Sequence, residues 1–157
     1  MDGNRIGRLL TGMIDGVQVA VVAGTEVRSS SVDNDTDAQT VTCYVADAPW
    51  LPDGVRAGAR STKGAAKHAA GGTVGWSWLD LASRDDSGLV VRARDEQAAE
   101  AWLTDRRIQA LSSATTADRS LRLVDGVVEI RSKGIESDPA TLAMALRAVT
   151  ELALALR

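Results

Sequence analysis

Residues 121–130, LRLVDGVVEI, decide the fold class, because Asp125-Gly126 stands between two runs in which apolar residues alternate. Aspartate and glycine tolerate the positive φ angles of a two-residue type I′ turn, whose twist matches that of paired strands. A hairpin follows, with Val124 facing Val127, Leu123 facing Val128, Arg122 facing Glu129 and Leu121 facing Ile130. Leu121, Leu123, Val128 and Ile130 then share one face. Arg122 and Glu129 meet on the other, as a contact that sets the register.

The same signal recurs in LLTGMIDGVQVAVV, where Asp15-Gly16 joins strands at about residues 8–14 and 17–23, with Leu10, Ile14, Val17, Val19 and Val21 on one side. The polar stretch RSSSVDNDTDA reads as an exposed connection. AQTVTCYVA then resumes the period of two and is expected to bury Val41, Cys43 and Val45 while turning Thr40, Thr42 and Tyr44 outward. Between residues 55 and 72, Ala, Gly, Arg and Lys dominate without an apolar stripe, so this segment reads as a mobile loop. TVGWSWLDLA and GLVVRARD are predicted strands, with Trp76 and Trp78 on one face.

Helical signals lie in the second half. Asp95 can cap a short helix through DEQAAEAWL, and Thr104 a second turn before Ile108 and Leu111. Asp138 as N-cap, Pro139 at the first helical position, and Leu142, Leu146, Val149, Leu152 and Leu156 at helical spacing predict a long final helix. The expected fold is therefore α+β: a mostly antiparallel sheet of about six or seven strands, covered on one face by the C-terminal helix and the short helical region.

At 157 residues, one domain spanning 1–157 can bury a substantial core without staples. Eighteen basic and 21 acidic residues give a formal charge of −3, which supplies no whole-molecule attraction for nucleic acid or an anionic membrane. Cys43 stands alone, so counting excludes an internal disulfide and a cysteine-based zinc site. With no secretory pattern at the N-terminus and no apolar run of spanning length, a cytoplasmic location is expected. The absence of phenylalanine and the wealth of alanine suggest a bacterial gene.

Residues with chemical potential are scattered. His68, the single histidine, sits in KGAAKHAAGG with no partner selected by pattern, and reads as a solvated loop residue rather than a catalytic base. Asp33, Asp35 and Asp37 have the alternate spacing of a calcium loop, but Ala38 and Tyr44 occupy positions where an EF-hand needs glycine and glutamate, so they are at most a weak metal candidate. Arg56, Arg60, Lys63 and Lys67 form a candidate anion contact, with no aromatic residue between them for stacking on bases. Trp76, Trp78 and Trp102 are expected core fillers, whereas Trp50, between Pro49 and Pro52, reads as a surface aromatic open to a partner. Met144 and Ala148 flank the leucine stripe of the final helix and suggest self-association. No cofactor motif is present.

GNRIGRLLTGMIDGVQVAVV, WLDLASRDDSGLVVRARDEQAAEAWLTDRRIQALSS and LRLVDGVVEIRSKGIESDPATLAMALRAVTELALAL, taken in order, resemble a bacterial protein family of unknown function. Members of that family often lie beside membrane helices, a segment this sequence does not show. It supplies no catalytic residues. The reading is thus a non-catalytic protein-interaction or scaffold module; its rivals are a small enzyme assembled from dispersed polar residues and a phosphate or nucleic-acid binder using the basic loop at 56–67.

Overall fold

The computed structural model describes residues 5–29, 36–59, 75–81, 83–84, 88–114 and 119–157. Among them, eight antiparallel strands form one sheet: β1 (Arg5–Ile14), β2 (Val17–Ser29), β3 (Thr36–Asp47), β4 (Val55–Ala59), β5 (Ser77–Trp78), β6 (Leu89–Ala93), β7 (Arg119–Val124) and β8 (Val127–Lys133). Their spatial order is β1-β2-β3-β8-β7-β4-β6-β5. Three helices lie among the described residues: α1 (Glu96–Trp102), α2 (Asp105–Ala114) and α3 (Pro139–Ala155). The expected α+β class holds, with eight strands in the sheet.

Both Asp-Gly hairpins form as read. Asp15 and Asp125 adopt φ of 50° and 48°, and Gly16 and Gly126 follow at 78° and 76°, the left-handed pair that a type I′ turn requires. The β7–β8 register is Val124↔Val127, Leu123↔Val128, Arg122↔Glu129 and Leu121↔Ile130. Glu129 nevertheless forms its ion pair with Arg131, two residues along its own strand, rather than with Arg122.

The core lies between one sheet face and the helices. Val17, Val19 and Val21 of β2, Leu121 and Leu123 of β7, and Val128 and Ile130 of β8 meet Val149, Leu152 and Leu156 there. The final helix begins as its sequence directs: Asp138 accepts from the Thr141 N–H at 2.9 Å, and Pro139 opens the first turn. A hydrogen bond from the Thr141 hydroxyl, together with that from its N–H, holds the Asp138 carboxyl below its usual pKa, since both favour the charged form.

Strand β3 reverses the expected facing. Thr42, Tyr44 and Ala46 are buried against the core, whereas Val41, Cys43 and Val45 are only half-buried on the far face. The cause is register: β3 lies between β2 and β8, and Tyr44 pairs with Val21 on one side and Ile130 on the other, both on the core face. Burial of the Thr42 hydroxyl is made tolerable because it donates to Gly134 O at 2.8 Å and accepts from Glu136 N at 3.0 Å; a buried hydroxyl with both partners loses little by leaving water. Burial also raises the Tyr44 pKa.

The segment at 55–72 is not a loop throughout. Val55–Ala59 is strand β4, inserted between β7 and β6, with Val55 and Ala57 buried. Four residues with small side chains and one arginine gave no apolar run to read, yet a strand paired on both sides needs only its core-facing positions to be apolar. Residues 60–72 lie outside the described residues.

Candidate functional site

The helices cover one face of the sheet. On the other, the alternation that buries Val55, Ala57, Val91 and Ala93 necessarily turns Arg56 and Arg92 outward. Arg56 pairs across the ladder with Arg92, and Arg92 with Trp78, so the three side chains form one row over β4, β6 and β5. Arg122 of β7 is opposite Gly58 on the same face.

Trp76 gathers this row into a cluster. The guanidinium carbons of Arg56, Arg94 and Arg92 lie 4.7, 5.1 and 5.6 Å from its ring centre, and Arg92 is also 5.7 Å from that of Trp78. Each distance is within the range of a cation–π attraction. Gly54 makes room for this arrangement: its φ is +72°, a Cβ there would meet the Arg94 Cβ at 3.2 Å, and its carbonyl accepts the Arg94 N–H at 2.9 Å.

The electrostatics are those of like charges held together. Burial lowers the Arg92 pKa, and repulsion from Arg56 and Arg122 lowers it further. Asp125, in the β7–β8 turn, approaches Arg56 only to 3.8 Å. The Arg56 Nε is buried and has no hydrogen-bond partner among the described residues. Such a group gains from a carboxylate or phosphate oxygen that brings both charge and acceptors.

A second feature lies in the helical layer. Ala110, Ser113 and Ala114 of α2 and Ala148, Glu151, Leu152 and Ala155 of α3 border a groove of about 370 Å³ whose other lining residues are Ile130 and Arg119. The small side chains of Ala110, Ser113, Ala114, Ala148 and Ala155 leave this space unfilled. The groove is mainly apolar, with Arg119 and Glu151 as its charges.

The residues singled out by sequence are distributed as follows. Arg56 joins the arginine–tryptophan face; Arg60, Lys63, Lys67 and His68 lie outside the described residues, as do Asp33 and Asp35. Asp37 is in β3, its backbone paired with Arg28. Among the described residues, no three His, Cys, Asp or Glu side chains lie close enough together to hold a metal ion. Ala148 borders the groove, and Met144, one turn before it, is 73% exposed.

Three of the four tryptophans depart from their expected places, and Trp102 keeps its own. Trp50 packs against the core and its indole N–H donates to Ala153 O at 3.0 Å, with Arg157 over the ring. Trp102 also packs against the core, whereas Trp76 and Trp78 lie with the arginines on the far face. The signal that sequence reading passed over was the alternation Arg92-Ala93-Arg94 beside Trp76-Ser77-Trp78, which places cations and indoles on the same side of adjacent strands.

No family model matches the chain, and no curated protein matches it. Among solved structures, it is similar to the crystal structure of the mycobacterial trehalose monomycolate transport factor A, TtfA, with a TM-score of 0.57, 14% sequence identity, and coverage of 95% of this chain and 71% of that chain. At that identity the likeness is one of fold. No helix among the described residues is long and apolar enough to cross a membrane.

Proposed function

We propose that the chain is a non-catalytic interaction module whose contact surface is the arginine–tryptophan face and whose partner is a protein presenting an acidic segment. The observation that carries this reading is the convergence of Arg56, Arg92 and Arg94 on Trp76. Arginine and tryptophan are the residues that most often dominate interface energetics. A carboxylate accepts hydrogen bonds from guanidinium N–H groups, and its negative charge offsets the repulsion among the arginines.

An acidic protein fits better than nucleic acid. The formal charge of −3 repels a long polyanion beyond the cluster itself, and the guanidinium groups occupy the faces of Trp76 on which a base would stack. The fold that this chain shares with a transport factor is compatible with action through contact.

Calorimetric titration with an oligoglutamate peptide tests the reading. Saturable binding is expected, and Arg92→Gln should weaken it by about 30-fold, the equivalent of roughly 2 kcal/mol at an interface hot spot. A single-stranded oligonucleotide of equal charge should bind more weakly. Tighter binding of the oligonucleotide, or unchanged affinity in Arg92→Gln, would overturn it.

A further inference from the structure

The sheet edge farthest from the arginine–tryptophan face is strand β1, and three large apolar side chains are exposed along its second half. Leu9, Leu10 and Met13 are 60%, 61% and 66% exposed. An edge strand offers a row of unpaired backbone groups, and proteins that must stay single usually protect it with charge, proline or brevity. From Leu9 to Ile14 the sequence is LLTGMI, without charge or proline.

We infer that β1 is a homodimerisation edge, and that a second copy of this chain pairs with it antiparallel about a two-fold axis at Thr11. Backbone parity selects this arrangement. The two-residue turn at Asp15-Gly16 makes Ile14↔Val17 a hydrogen-bonded pair, so Gly12 and Leu10, opposite Val19 and Val21, also bond to β2. The N–H and C=O groups of Leu9, Thr11 and Met13 therefore face away from the sheet. A two-fold axis at Thr11 sets Thr11 against its own copy and Leu9 against Met13 of the second copy, so every edge-facing residue of this stretch is hydrogen-bonded.

The side chains agree with that register. Leu9 and Met13 of opposite copies meet on the far face. Leu10 stands across from Gly12 of the second copy, and a Cβ at Gly12 would meet nothing within 4 Å, so Leu10 enters open space. Shifting the axis to Leu10 would set Met13 against Gly7, where the irregularity between Ile6 and Arg8 breaks the ladder. Shifting it to Gly12 would set Leu9 against Asp15 in the turn. The axis stands perpendicular to the sheet, so both helical layers lie on the same side of one continuous sheet.

Light scattering across a dilution series tests this on the intact chain. The wild type should show twice the mass of one chain at high concentration. Thr11→Pro removes an edge-facing N–H without touching the β1–β2 ladder, and Leu10→Lys adds an edge charge; each should raise the dissociation constant by roughly tenfold or more, with circular dichroism unchanged. Arg92→Gln should leave the mass unaltered, which separates this inference from the acidic-partner reading. It is overturned if the wild type stays at single-chain mass throughout, if both variants dimerise like the wild type, or if Met144→Glu with Ala148→Glu alone splits the dimer.

Discussion

Trp50→Ala should destabilise the protein by about 3–4 kcal/mol, measured as a fall in the urea midpoint with the slope retained. The segment from Ala48 to Gly54 joins β3 to β4 and is held by backbone bonds, from Ala48 N–H to Gly126 O at 2.7 Å, Leu51 N–H to Ala48 O at 3.0 Å and Arg94 N–H to Gly54 O at 2.9 Å, and by burial of Ala48 and Leu51. The Trp50 indole fastens this segment to the end of α3. Ala153 O is among the last carbonyls of the helix, which have no partner within it, and the indole N–H supplies one at 3.0 Å. Truncation removes this donor and leaves a cavity beside the core. Trp50→Phe keeps most of the ring and should lose only about 1 kcal/mol. Neither variant should change oligoglutamate affinity per folded molecule; if Trp50→Phe weakened it as Arg92→Gln does, Trp50 would be a partner contact after all.

Thr42→Val should cost about 2–4 kcal/mol. Valine has nearly the shape of threonine, so no cavity opens, and the loss comes from two polar groups left behind. Gly134 O loses its 2.8 Å donor and Glu136 N its 3.0 Å acceptor. These groups lie in the link between β8 and α3, so the hydroxyl ties the start of the long helix to the middle of the sheet. Hydrogen exchange at the Glu136 amide should accelerate in Thr42→Val and remain slow in Thr42→Ser, which keeps the oxygen. Equal stability of Thr42→Val and wild type would show that the link is held by other contacts.

The elements with local signals were legible. Asp-Gly turns, the Asp138-Pro139 start and the leucine spacing of α3 each depend on neighbouring residues, and hairpin pairing follows from the turn with no knowledge of the rest of the sheet. Facing in β3 was not legible, because Val-Thr-Cys-Tyr-Val is apolar at both parities and the choice depends on partners distant in sequence, Val21 and Ile130. Strand β4 escaped for a related reason: Val55 and Ala57 are a weak apolar signal, and the strand exists because β6 and β7 leave a place between them.

The candidate site was legible only in fragments. Arg56 was recognised as a cation, but it was grouped with its neighbours in sequence rather than with Arg92 and Arg94, which reach it across the ladder. Trp50 looked exposed because prolines flank it, whereas the atom that claims it, Ala153 O, is 103 residues away. Trp76 and Trp78 looked like core because bulky aromatics usually are. What kept them outside is parity: Trp78 is opposite Arg92, and the core face of those strands was already filled by Val91 and Ala93.

The four tryptophans report directly on the location of the contact through their indole N–H resonances. On addition of oligoglutamate, the indole signals of Trp76 and Trp78 and the amides of β4 and β6 should shift together, while those of Trp50 and Trp102 stay in place. Shifts confined to the groove between α2 and α3, or none at saturating peptide, would contradict the account.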